Sequence, residues 1–151
     1  MHVTGALQLS KLSNLATLQR FLDAENARDW ATWSSCLHQN ATYHAVGSDV
    51  VISGADAYAH HMQAAYAELP DWSFSARNTA ESGAVIFVEF DGSGHYTGTH
   101  RSRVVSGAPL RLQAVCVFEF ADGRIFRVRE YLDRDGSDRQ IDEFLSGSPG
   151  I

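Results

Sequence analysis

Lysine is almost missing from this chain. Lys11 is the only one in 151 residues, and the arginines are scattered. With a net charge of −6 and a pI near 5.5, no basic face is available for DNA, RNA or an anionic membrane. Cysteine is also scarce. Cys36 and Cys116 lie far apart with no CxxC or Cys–His spacing, which argues against a zinc site and fits two reduced thiols in a cytoplasmic protein. No apolar run approaches the ~20 residues of a membrane span, and the first residues lack the charged and apolar regions of a secretory signal. There is no glycine-rich phosphate loop, no dinucleotide fingerprint and no serine nucleophile elbow. Nucleotide cofactors and triad hydrolysis are therefore unsupported, and no cofactor is expected.

What remains is an ordinary globular composition, 44% hydrophobic and 20% charged, which argues against disorder. A chain of this length should bury roughly 70% of its unfolded surface, enough for one domain over 1–151 without a disulfide or metal staple. The core is expected over about 13–145, with a loose tail over 146–151.

The first half reads as helical. From Ser13 to Ala27 the apolar residues Leu15, Leu18, Phe21 and Leu22 keep helical spacing, with Ser13 or Asn14 available as cap. Asp29 can cap a second, short helix carrying Trp30, Trp33 and Leu37. A β-prone stretch, Ala41 to Val46, follows. Ser53 then caps a third helix to about Leu69, whose apolar stripe is Tyr58, Met62, Ala65, Tyr66 and Leu69 with His61 on the same face.

The second half reads as strands between turn signals: Trp72–Ala80, Ala84–Phe90, His95–Val105, Leu110–Phe120 and Arg124–Asp133. Helices first and a meander afterwards predict an α+β fold, with three N-terminal helices on one face of a curved, mainly antiparallel sheet. On the last strand Phe126, Val128, Glu130 and Leu132 share a face, and Glu130 is the one charge in that row.

Several segments carry a resemblance. "ADGRI" (Ala121 to Ile125) and "REYLD" (Arg129 to Asp133) form a closing hairpin that ends in a carboxylate pair. Ahead of them come "LHQNATYHAVG" (Leu37 to Gly47), "ISGADAYAHHM" (Ile52 to Met62), "LPDW" (Leu69 to Trp72) and "GHYTGTH" (Gly94 to His100). In this order they resemble the SnoaL-like branch of the nuclear transport factor 2-like superfamily, over roughly Leu15 to Ile141. The resemblance implies a cone-shaped sheet closed by helices around an enclosed pocket, a small hydrophobic ligand, a likeness to polyketide cyclases and isomerases, and a homodimer.

It also implies roles. Glu130 matches the family's pocket acid/base, where aspartate is commoner. Burial among Phe126, Val128 and Leu132 should raise its pKa and let it exchange a proton with an enol or carbonyl. The alternative is a carboxylate paired with an arginine at the rim. His44 falls where related enzymes place a polar or basic side chain, so the resemblance makes it the partner of Glu130; the alternative is a hydrogen-bonded core histidine. Phe21 and Cys116 stand where steroid isomerases carry their two oxyanion donors, which disfavours that chemistry here. No counterpart of the epoxide hydrolases' arginine–aspartate pair is visible.

Tyr43, Tyr58, Met62, Trp72 and Phe74 are candidate lining of the pocket, although aromatic and methionine residues on apolar faces are more often core packing. His95 and His100, five apart on one strand, point to opposite faces, so only one can face the pocket. His60 and His61 diverge by about 100° on a helix and lack a third ligand, so no metal site is expected.

Overall fold

In the computed structural model the described residues are 3–147, with side chains from 14 onward. The order is α1 (Val3–Ala27), α2 (Trp30–Ser35), β1 (Leu37–Ala45), β2 (Val51–Ser53), α3 (Ala55–Glu68), β3 (Ser73–Ser82), β4 (Val85–His100), β5 (Arg103–Ala121), β6 (Arg124–Leu132) and α4 (Arg134–Leu145). The strands form one curved sheet in the order β2-β1-β6-β5-β4-β3, antiparallel except where β1 runs parallel to β6. The expected α+β architecture is therefore present. Most of the expected tail, 148–151, lies outside the described residues.

Local chemistry accounts for most boundaries. The Asp29 carboxylate caps α2 by accepting from the Thr32 N–H at 3.1 Å. Helix α1 already begins at Val3, ahead of the expected start at Ser13, and Leu37 opens β1 rather than closing α2. Gly54, at φ +98, precedes α3 in place of the expected Ser53 cap. Helix α4 was not expected: its first turn holds Gly136 and Ser137, and apolar residues appear only at Ile141, Phe144 and Leu145. Asp133 caps it through the Gly136 N–H at 2.9 Å, and Ile141 buries against Val105 and Ala108 of β5.

The largest difference lies in the sheet. Two predicted turns are strand. Asp91 to Gly94 continues β4, and Ser106 to Pro109 continues β5, so three predicted strands, Ala84–Phe90, His95–Val105 and Leu110–Phe120, become two long ones. Gly92 and Gly94 are in β4 because Trp72 lies against it. A Cβ on Gly92 would sit 2.2 Å from the Trp72 ring, and one on Gly94 would sit 3.0 Å from its Cα. Gly107, at φ +73, accompanies a bulge, where Tyr96 pairs Ala108 but Gly98 pairs Val105. The true β4–β5 hairpin turns at Arg101 and Ser102, with φ of +47 and +65. Positive φ at both central positions is the type I′ pattern, and Arg-Ser is not its usual sequence.

A second bulge changes the face of β6. Phe120 pairs Ile125 while Glu119 pairs Arg127, so Phe126 is skipped. Ile125 takes the core position, fully buried, and Phe126 instead packs its ring 5.5 Å from His38. The expected row of Phe126 with Glu130 is thereby corrected to Ile125, Val128, Glu130 and Leu132.

Because Trp72 occupies the space that two glycines leave, Gly92→Ala should cost about 1–3 kcal/mol of stability through overpacking. Urea denaturation measures this. An unchanged midpoint would mean that the Trp72 ring is free to swing away.

Candidate functional site

Helices α1, α3 and α4 and one face of the sheet surround a cavity of about 540 Å³. A second, polar groove of about 700 Å³ runs along β3, β4 and β5 beside the start of α4. Within it Arg77 pairs Asp91 at 3.0 Å, and Gln113 donates to the same carboxylate; Arg111 and Asp133 also line it. The chemistry-bearing side chains meet in the first cavity.

Glu130 enters it because the parallel register sets Ala45 opposite Glu130 and Tyr43 opposite Val128, all on the inner face. The Tyr43 hydroxyl donates to Glu130 Oε1 at 2.8 Å, and Cys116 Sγ stands 3.9 Å from Oε2. Burial raises the Glu130 pKa, and the Tyr43 hydrogen bond opposes the rise. Burial, followed by the charge on Glu130, pushes the Tyr43 phenol and the Cys116 thiol up, so both stay protonated donors. Tyr58 stacks on Tyr43 with centroids 4.8 Å apart and planes 15° apart. Tyr58 is only 3% exposed, lines the cavity, and its hydroxyl has no hydrogen-bond partner among the described residues.

A second carboxylate, not anticipated from the sequence, lines the same cavity. Glu25 accepts from Trp33 Nε1–H at 2.9 Å and from the Tyr66 hydroxyl at 2.7 Å. Burial pushes its pKa up to about 7, against both donors. The nearest cation, Arg28, lies 3.9 Å over the Tyr66 ring. It donates to the carbonyls of Glu25, Leu69, Pro70 and Trp72 and to no carboxylate. The signal was present: Glu25 lies three, four and seven residues after Leu22, Phe21 and Leu18, on the apolar stripe of α1.

The other expected residues divide. Phe21, Met62, Trp72 and Phe74 line the cavity, and Phe21 stacks on Trp33 at 4.8 Å. His44 does not meet Glu130: it pairs in register with Arg129 and shares the opposite face of β1. The residue one position earlier, Tyr43, makes the contact expected of His44. His95 points outward, where Asp71 accepts from its backbone N–H at 2.8 Å and lies 2.6 Å from Nδ1. His100 is the inward one, near the α4 end, with Nε2 2.9 Å from Asp142. Asp133 caps α4 and lies 3.8 Å from Arg139. His61, facing in from α3, was seen in the stripe but not counted as a site residue. Its ring lies 5.5 Å from Tyr43. Among the described residues no cluster of three metal-ligating side chains occurs.

Comparison with known proteins agrees with this geometry. No curated protein matches the chain significantly. Among solved structures, a candidate SnoaL-like polyketide cyclase from Jannaschia sp. CCS1 superposes with a TM-score of 0.78 at 18% identity, covering 86% of this chain and 92% of that one. An epoxide hydrolase of limonene-epoxide-hydrolase-like type from M. tuberculosis gives 0.72 at 19% identity, covering 91% and 95%. A phenazine biosynthesis-related protein from Pseudomonas aeruginosa gives 0.77 at 20%, covering 92% and 91%. At these identities the structures speak for the fold. The family model for the SnoaL-like domain matches residues 18–128, most of the chain. This chain belongs to the SnoaL-like domain family.

Proposed function

We propose that the protein is a cofactor-free enzyme that moves protons on a hydrophobic carbonyl compound, such as a polyketide, to drive a cyclisation or isomerisation. The observation that carries this is the Glu130 carboxyl, held by Tyr43 in the wall of a cavity large enough for a small molecule. Burial raises the pKa of this carboxyl above its ordinary value, which makes its carboxylate form a better proton acceptor. In this reading the Glu130 carboxylate removes a proton from the carbon beside the carbonyl, and the electron pair moves to the carbonyl oxygen. The free Tyr58 hydroxyl donates to that oxygen as it becomes an enolate. For isomerisation, Glu130 returns the proton to another carbon of the same conjugated system. For cyclisation, the enolate carbon attacks a second carbonyl of the same molecule, and Glu130 protonates the new alkoxide. No step draws on a metal or cofactor.

Solved structures of similar fold are described as a polyketide cyclase and as a ketosteroid isomerase, which supports proton-transfer chemistry. Another is described as an epoxide hydrolase, but no arginine hydrogen-bonds Glu130 here. The other reading is a non-catalytic binder of the same ligand. We also propose a homodimer in the cytoplasm. Phe87, Val115 and Tyr131 share the outer face of the sheet and are exposed, and both cysteines are free. Sedimentation velocity tests the dimer, and a monomer at micromolar concentration would contradict it.

Glu130→Gln keeps shape and hydrogen-bonding reach but loses the titratable proton. Turnover of a carbonyl substrate should fall about 10²–10⁴-fold with little change in binding. Stability should hold or rise, since an amide is easier to bury than a carboxylate. Unchanged turnover with a large loss of stability would make Glu130 a structural group. Ligand binding without turnover in the wild type would favour the binder.

The buried acids also set a pH dependence. An acid whose pKa is higher folded than unfolded favours folding fully below the unfolded value, and it loses that contribution as pH rises through the folded one. For Glu25 the window runs from its ordinary 4.5 up to about 7. At most about 3 kcal/mol is lost across it, and Glu130 adds in the same direction. In chemical denaturation between about pH 5 and pH 8, the wild type should lose stability relative to Glu25→Gln. Parallel pH profiles would contradict the burial of Glu25 as a titrating acid.

A further inference from the structure

Glu25 and Glu130 share one apolar cavity, and neither is hydrogen-bonded by a cation. Their partners are neutral donors: Trp33 and Tyr66 for Glu25, Tyr43 and Cys116 for Glu130. Neutral donors fix a carboxylate as an acceptor, but they do not supply the charge that burial demands. The remaining lining carries more carboxylates than arginines. Glu68 and Asp138 add two further carboxylates, against Arg134 as the lining arginine. Arg28, behind Tyr66, has committed its donors to backbone carbonyls.

An independent feature points to a ligand. Tyr58 is almost wholly buried, lines the cavity, and leaves its hydroxyl unpartnered among the described residues. That hydroxyl lies close enough to Glu25 and Glu130 for both charges to raise its pKa, after burial itself. The hydroxyl oxygen is not among the fully enclosed unpartnered atoms, so it opens onto the cavity, where a ligand can meet it. Phe21, Tyr43 and Trp72 also line this cavity and make it aromatic.

We propose that the ligand of this cavity is a ring compound carrying a protonated amine, seated against Glu25, which leaves Glu130 free to exchange the substrate's proton. The proposal rests on the reading of the cavity as a ligand site. The ammonium brings the missing positive charge, and its N–H groups donate to Glu25, whose two oxygens are already oriented as acceptors. Having two carboxylates separates the tasks: one stays charged against the ligand while the other titrates. A ligand bearing a carboxylate or phosphate meets four lining carboxylates, Glu25, Glu68, Glu130 and Asp138, against Arg134.

Calorimetric titration with four matched probes tests this: naphthylmethylamine, naphthylmethanol, naphthoate and acetonaphthone. The amine should bind about tenfold or more tighter than the alcohol, the ratio a desolvated charge-assisted contact gives, and naphthoate should bind weakest. The amine's affinity should rise with pH through about 7, where Glu25 ionises, while the alcohol's stays flat by comparison. Among the groups around the two acids, burial pushes the Tyr43, Tyr58 and Tyr66 phenols and the Cys116 thiol upward, out of this range. Arg28 faces Glu25, and Arg134 and His61 face Glu130. The Glu25→Gln comparison separates the contribution of Glu25 from theirs. Glu25→Gln should bring the amine-to-alcohol ratio to about one.

Equal binding of amine and alcohol to the wild type, or tightest binding of naphthoate, overturns the proposal. If acetonaphthone binds without any amine preference, only this inference falls. If none of the four binds, the ligand-site reading falls with it. Should Glu25→Gln fail to fold, the wild-type ratio and its pH dependence still decide.

Discussion

The hydrogen bond from Tyr43 to Glu130 ties the two parallel strands together at the one place where the sheet carries a charge inward. A carboxylate facing an apolar cavity is costly, and the Tyr43 hydroxyl offsets part of that cost. Its position depends on the register of β1 against β6: a slip of one residue would present His44 and Arg129 to the cavity instead. It depends also on α3, because Tyr58 lies flat against Tyr43 and holds its ring. Glu25 repeats the device among the helices. From α1 it accepts from Trp33 on α2 and Tyr66 on α3, so the three helices meet on a single carboxylate. The acids that suit the cavity for chemistry are therefore also fasteners of the fold.

The size of the cavity follows from two long strands. β4 and β5 run on past the core, and their outer ends are held by Val105 and Ala108 against Ile141 of α4. Gly92 and Gly94 let Trp72 lie against β4 without breaking the ladder. Arg28, at φ +60, ends α1 and sends its guanidinium to three carbonyls in the stretch from Leu69 to Trp72. A left-handed arginine carries a modest strain, and these hydrogen bonds offset it. Together they fix the segment that delivers Trp72 to the cavity wall.

Much of this was legible in the sequence, and the misses share a cause. Period and turn chemistry located α2, α3, the Asp122-Gly123 hairpin and Glu130 as the lone charge in an apolar row. Glycines misled where they make room for a neighbour rather than turn the chain, as at Gly92 and Gly94. The hairpin at Arg101-Ser102 carries no glycine to announce it. The bulge at Phe126 shifted one face of β6 by a residue, a change that alternation alone cannot detect. His44 was chosen by position in a resembling family, but the strand's two-residue period gives the inward place to Tyr43. Glu25 needed only the rule that picked out Glu130, applied to the helical stripe instead of the strand.

The chemistry centres on Glu130 as a buried acid whose pKa lies above the ordinary carboxylate value. A ¹³C NMR titration of the glutamate side-chain carboxyls, with Glu130→Gln used for assignment, measures this directly. The Glu130 resonance should titrate above the ordinary value of 4.5. Titration at or below that value would mean an acid held charged by an ion pair, with no role as the proton carrier of this cavity.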